Sequence, residues 1–241
     1  MSDTSQNTFG APPAATGYLP PYVPPFRPPG DLATALTVLF SLTIGVDLLL
    51  AAAYVYVRQL LGSGSVAYDD LTRADGLQAL SDALQTLLLV PTAVVFIIWF
   101  FRIRKNADFF APDACEMKSG WAIGAWFIPI GNLWLPRKIA GEVWNASTDW
   151  DSEPRGTSQT SMNVWWVLFV ASSLLQRFSG AEYSDGASAT ELKHAAGTMI
   201  FFCVLDAMAA VFAILFVRKL TRMQLDKATA RWKQILPQPQ P

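Results

Sequence analysis

Apolar residues in this chain gather into long runs, and those runs set the expected architecture. Four stretches, at about 32–57, 82–101, 162–178 and 197–217, are almost free of charge. A run of roughly 20 apolar residues, wound as a helix, spans a bilayer core of about 30 Å. The third stretch is the shortest, reaching about 25 Å at 1.5 Å per residue. Trp165 and Trp166 at one end of it and Arg177 at the other suit the two membrane boundaries. Pro91 lies inside the second stretch and should kink it, because its missing N–H leaves one carbonyl unpaired. Asp31, following Pro29 and Gly30, is placed as an N-cap for the first. Ala33, Thr37, Ser41 and Gly45 recur every four residues, a small-residue stripe that would let another helix approach closely. The acidic stretch 58–81 reads as a loop, ending in an amphipathic lead-in at Leu77–Leu80.

A fifth apolar segment breaks this pattern. Residues 120–147 hold an apolar part, 121–136, interrupted by Pro129, Gly131 and Pro136 and followed at once by Arg137 and Lys138. Non-helical backbone survives at membrane depth only where protein or water satisfies it. The amide of Asn132 is suited to that task. Gly120 and Gly124 have the spacing that seats one helix against another. Pro136 can open a second half-helix, and Glu142 falls four residues after Lys138, on one face. Trp121, Trp126, Trp134 and Trp144 also suit the headgroup boundary, so a helix pair lying flat in the interface competes with a re-entrant one.

Positive charge orders the crossings, since cytoplasmic loops are rich in Lys and Arg. If 120–147 returns to the side it came from, only Arg58, Arg73, Arg177 and Lys193 of the 18 basic residues fall outside. If it crosses, eleven fall on one side and seven on the other, whichever way the chain is turned. The expectation is an all-α integral membrane helical bundle: four transmembrane helices plus a broken re-entrant or interfacial helix pair. It is multi-pass in the plasma membrane, with both termini cytoplasmic.

Composition agrees with a lipid environment: 52% of residues are hydrophobic and 15% charged, against about 25% charged in soluble domains. The net charge of −1 names no partner and gives no reason to expect nucleic acid. No cleavable signal peptide is expected, since the first apolar run starts near Leu32 behind a long polar tail. Residues 1–30 form a disordered, Pro-rich cytoplasmic tail with polyproline character, where Tyr18, Tyr22 and Phe26 recur every four residues and could engage a protein partner. Residues 220–241 read as a basic amphipathic tail. Its apolar face, Leu225, Ala228, Trp232 and Ile235, would meet anionic lipid headgroups.

Chemistry is sparse. One histidine, His194, excludes a multi-histidine metal site, Cys115 and Cys203 read as free thiols, and no HExxH or GxSxG motif occurs. Neither a cofactor nor an enzymatic activity is expected. The notable polar residues are Asp47 and Asp206, each near the middle of an apolar run, where a carboxylate is costly and marks a candidate binding site. Asn132 joins them as a candidate. Each acid could instead pin two helices, Asp47 to Thr43 or Asn132 for example. Gln85, Ser172 and Ser173 read as helix–helix contacts. A scaffold or interaction role follows from the tails and the small-residue stripe. A transport or small-ligand role, with a cation held by the intramembrane carboxylates, is the alternative.

The run from Gly120 through Trp144 to Ser147, with Trp121, Gly124, Trp126, Pro129, Asn132, Pro136 and Glu142 at fixed spacing, resembles the signature of an uncharacterised bacterial membrane family common in actinobacteria, domain of unknown function 4328. The likeness covers roughly residues 35–220. It implies a membrane-helix architecture and carries no activity.

Overall fold

The computed structural model describes residues 25–63, 68–148, 158–179 and 189–235. The Pro-rich stretch up to residue 24, Arg155 and the prolines from Pro237 onward lie outside them. Among the described residues every regular element is helical: α1 (Gly30–Ser63), α2 (Tyr68–Phe110), α3 (Trp121–Gly124), a 3-10 turn (Gly131–Leu133), α4 (Leu135–Ser147), α5 (Thr160–Ser179) and α6 (Ala189–Ile235). Three helices are long and apolar enough to cross a membrane, within 30–62, 76–110 and 190–233. The fourth expected span falls on α5, whose apolar stretch, 160–175, is shorter.

The long helices outrun their apolar runs. The expected loop at 58–81 is largely helix, because α1 continues to Ser63 and α2 starts at Tyr68. Hydropathy marks only the part of a helix that meets lipid, and helix-compatible polar residues extend it into water. α2 also runs unbroken through Pro91. α1 starts at Gly30, which puts Asp31 inside its first turn rather than at its cap. There its charge still faces the positive end of the helix. His194, which precedes the fourth apolar run, is an exposed residue of α6.

α1 lies between α2 and α6, and α6 in turn carries α5. Large apolar side chains point outward as well as inward: Leu87, Leu89, Val90 and Val167 each expose more than 60% of their area. Soluble monomers rarely display such surface around a whole bundle. A membrane protein is the reading these helices fit.

The inner core is aromatic and sits at one end of the bundle. Trp99, Phe100, Trp144 and Phe216 are fully buried there. Trp165 stacks on Phe216 at 4.9 Å, and Trp99 Nε1 donates to Thr221 Oγ1 at 3.0 Å. A smaller cluster, Leu50, Tyr54, Ala196 and Cys203, lies farther along the bundle.

The segment between α2 and α5 leaves and re-enters the bundle at that same aromatic end. Lys227 Nζ near the end of α6 donates to the carbonyls of Ala146 and Thr148 at 2.9 Å. Lys219 Nζ, two turns earlier, donates to Ser158 O at 3.1 Å. The guanidinium of Arg104, buried, pairs with Asp108 on its own helix and holds the loop after α2 through the carbonyl of Met117.

Within this segment several expectations change. A Cβ on Gly120 or Gly124 would meet nothing, so these glycines permit no close approach; Ala122 and Ala125 are the buried contacts. The tight glycine is Gly131, whose added Cβ would lie 2.9 Å from Ile128 and Leu135 side-chain atoms. Trp121 and Trp134 are exposed, but Trp144 is core and does not sit at a boundary. Pro136 stands in the first turn of α4 as expected.

Through residue 235 the C-terminal stretch is helical, an extension of α6. It buries Leu220, Gln224 and Ala228, leaving Trp232 half exposed. Arg231 bonds the carbonyl of Phe109 at 2.6 Å and lies over its ring. The spacing of apolar residues suggested a face through Leu225, Ala228 and Trp232, and the buried face shares Ala228 but turns toward Gln224, which finds partners inside. Its Nε2 donates to Ile103 O and Ser147 Oγ, and its Oε1 accepts from Asn106 Nδ2. Asn106 also exchanges hydrogen bonds with the backbone of Arg27, which ties the entry to α1 against the end of α2.

Candidate functional site

Beyond the aromatic core, the four long helices part around a cavity of about 410 Å³. Each helix supplies a pair of lining residues seven positions apart: Phe40 and Asp47 on α1, Thr92 and Gln85 on α2, Trp165 and Ser172 on α5, Ala213 and Asp206 on α6. Two helical turns separate the members of each pair, about 10 Å. In every pair the second residue named is polar and lies farther from the aromatic end. The cavity therefore has a polar end and a largely apolar, ring-lined end. Ala209, Ala210 and Ala213 form one wall and, being small, leave the room.

Asp47 is 1% exposed. Its Oδ1 accepts a hydrogen bond from Gln85 Nε2 at 2.8 Å, while Oδ2 is buried with no hydrogen-bond partner. The expected partners Thr43 and Asn132 do not hold it. Thr43 Oγ1 donates to its own helix at Leu39 O, and Asn132 lies elsewhere. Asp206 lines the same cavity, half buried, close enough for the two charges to interact. Thr92 Oγ1 is also buried there without a partner. Leaving such groups unmatched costs roughly 1–3 kcal/mol for a neutral group and more for a charged one. Among the described residues no three His, Cys, Asp or Glu side chains are grouped to hold a metal ion.

Asn132 does not join the aspartates. Its Nδ2 reaches back to Trp126 O at 3.5 Å, a weak bond within its own turn. Trp126 is the link between this segment and the cavity. Its ring lies between α2 and α5, 5.4 and 5.7 Å from Phe96 and Phe100, and 6.1 Å from both Trp166 and Phe169. It fills the space that the cavity occupies one turn farther on.

The remaining motif residues form a polar cluster at the bundle end. Lys138 pairs with Glu116 at 2.6 Å and stands 4.0 Å from Glu142, so the expected pairing within α4 is the weaker one. The hydrogen bond holds Glu116 below and Lys138 above their usual ranges. Burial raises the Glu142 carboxyl above its usual value against the opposing pull of Lys138. Neither of its oxygens makes a hydrogen bond of ordinary geometry, though the Met117 amide favours its charged form. Burial likewise raises the Cys115 thiol to about 11, which leaves it protonated and inert at neutral pH. Both cysteines are free. Arg137, its charge disfavoured by burial, is bound by Asn163 and Gln159.

Sequence reasoning singled out both aspartates and read Gln85 as a helix–helix contact, which its bond to Asp47 is, but passed over Thr92 and Phe169. The spacing of seven between an aromatic and a polar lining residue occurs on two helices, as Phe40 and Asp47 on α1 and Trp165 and Ser172 on α5, and gave no signal for α2. Gln224 and Asn106 were missed as well, since amides close to arginines read as ordinary solvated positions.

No curated protein and no solved structure matches the chain. One family matches residues 63–222, about two thirds of the sequence. The match takes in α2, the broken segment, α5 and most of α6, including Asp206 and the whole tryptophan-rich motif, but leaves out Asp47. The chain belongs to the family described as domain of unknown function (DUF4328).

Proposed function

We propose that this is a plasma-membrane protein with four crossings and cytoplasmic termini, whose helical bundle binds a small positively charged ligand between Asp47 and Asp206. One observation carries the binding reading: two carboxylates from different helices line one cavity, and one of them keeps a buried oxygen without a partner. A buried negative charge calls for a positive one beside it. Intramembrane acids that line cavities commonly mark ion or substrate pathways. Support for the topology comes from the basic residues, which gather at the end where the broken segment leaves and returns. α5 would be the short fourth crossing, and the tryptophan-rich segment a shallow re-entrant element capping one end of the cavity.

A scaffold role is the second reading. It is favoured by Ser41 and Gly45, which face away from the bundle and leave that part of the small-residue stripe to another helix.

The test has two parts, both on the full chain. Reporters at residue 155 and at the C-terminus should both label from the cytoplasm; labelling of 155 from outside ends the re-entrant topology. The purified protein is then melted in ammonium, sodium, potassium and methylammonium chlorides at constant ionic strength. At least one of them should raise the midpoint of the native protein, and the Asp47→Asn/Asp206→Asn double variant should lose that response. An equal response in both proteins removes the carboxylate site.

A further inference from the structure

The shape of the cavity says more about the ligand than its charge does. The ligand inferred below presupposes the carboxylate site proposed above. At about 410 Å³ the cavity is far larger than an inorganic ion needs; one water requires only roughly 10–15 Å³. Hard cations take six or more oxygen ligands in a close shell. Here both carboxylates and most of the other oxygens gather toward one end, and the rest of the wall offers Phe40, Trp165 and Phe169, with Thr92 as the hydroxyl among them. An ion bound at Asp47 would leave that aromatic end to be filled by something else.

The two ends lie about 10 Å apart on each of the four helices, which is the length of a compact amphiphile. Aromatic faces accept apolar groups and attract cations. Phe169 lines the cavity, and its ring meets those of Trp126 and Trp166. Thr92, whose buried hydroxyl lacks a partner, stands at the aromatic end beside the rings. We infer that the ligand is a monovalent organic amine with an aryl or short alkyl body. Its ammonium group sits at Asp47 and Asp206, and its apolar body lies along Phe40, Trp165 and Phe169. Gln85 holds one oxygen of Asp47 so that the other faces the ammonium group. The alanine wall of α6 sets how wide the body can be.

The experiment titrates the full chain, in nanodiscs of neutral lipid, with phenethylammonium chloride by calorimetry. One molecule should bind per chain, saturably. Asp47→Asn should weaken it at least tenfold, and Phe169→Ala at least fivefold with both carboxylates intact. The neutral analogue 2-phenylethanol should not bind. If Asp47→Asn fails to fold, judged by its elution profile, Asp206→Asn and Phe169→Ala decide the matter. Binding of phenylethanol as tight as that of the amine overturns the proposal, because charge would then play no part. Aspartate-dependent binding of radioactive sodium with none of the amine overturns it too, yet leaves the carboxylate site standing. Absence of both kinds of binding removes the site itself.

Discussion

The two halves of this helical bundle solve the same packing problem differently. At the aromatic end the gap between α2 and α5 is filled by a fifth piece of chain, the tryptophan-rich segment, whose Trp126 wedges between Phe96 and Phe100 on one side and Trp166 and Phe169 on the other. One turn farther along, no such piece among the described residues reaches in. There the helices face each other across alanines, hydroxyls and two carboxylates, and a cavity remains. Polar groups divide less sharply, since Trp126 Nε1 and both Glu142 oxygens at the filled end also lack hydrogen-bond partners. At the filled end Gln224 and Asn106 are buried and matched by several hydrogen bonds. In the cavity Asp47 and Thr92 carry oxygens with no partner. Matched buried polar groups hold structure together; what sets Asp47 and Thr92 apart from the unmatched groups of the filled end is the open space that they line.

Substitutions should therefore divide by region. Trp126→Ala should have the largest effect, about 3 kcal/mol lost, the low end of the range for a packed aromatic. It should also extend the cavity toward the bundle end. Denaturant unfolding in mild detergent would check it, and a loss under 1 kcal/mol would mean that the wedge is not packed as described. Gln224→Leu keeps the volume and removes three buried hydrogen bonds. Its expected cost is about 1–2 kcal/mol, because several of its partners keep other bonds. The same measurement decides; an unchanged midpoint would show the amide network to be idle.

The smallest effect has the opposite sign. The raised Glu142 carboxyl binds its proton more tightly in the folded chain than in the unfolded one. Stability is then greatest below the ordinary carboxyl value of 4.5 and falls as pH rises through the folded value. Glu142→Gln should leave the melting midpoint unchanged at low pH and raise it by about 2 °C at pH 8. A variant less stable at pH 8 would show that the Glu142 charge is compensated by Lys138 and Arg104.

Much of the architecture was legible because lipid imposes a simple rule. A span must be long and apolar, so the helices stand where the apolar runs do. The break at Pro129, Gly131 and Pro136 was equally plain, since those residues cannot continue a helix without loss. Helix ends were not legible. Outside the lipid nothing apolar marks them, so α1, α2 and α6 overran their runs by two or more turns. The buried face of the α6 extension was misread for a related reason. Leu225 and Trp232 look more apolar than Gln224, and only the facing Ile103 carbonyl, Ser147 and Asn106 make burying an amide favourable.

The sequence by itself settled that the chain is helical, suited to a membrane and marked by two acids within its apolar runs. Those properties depend on composition and local periodicity, which each segment carries alone. Only the tertiary structure decided that Asp47 and Asp206 share one cavity while Asn132 stays apart, and that Trp126 fills the neighbouring gap. Which face of a helix meets which neighbour depends on the fit of side chains from four separate segments, and no single segment contains that information.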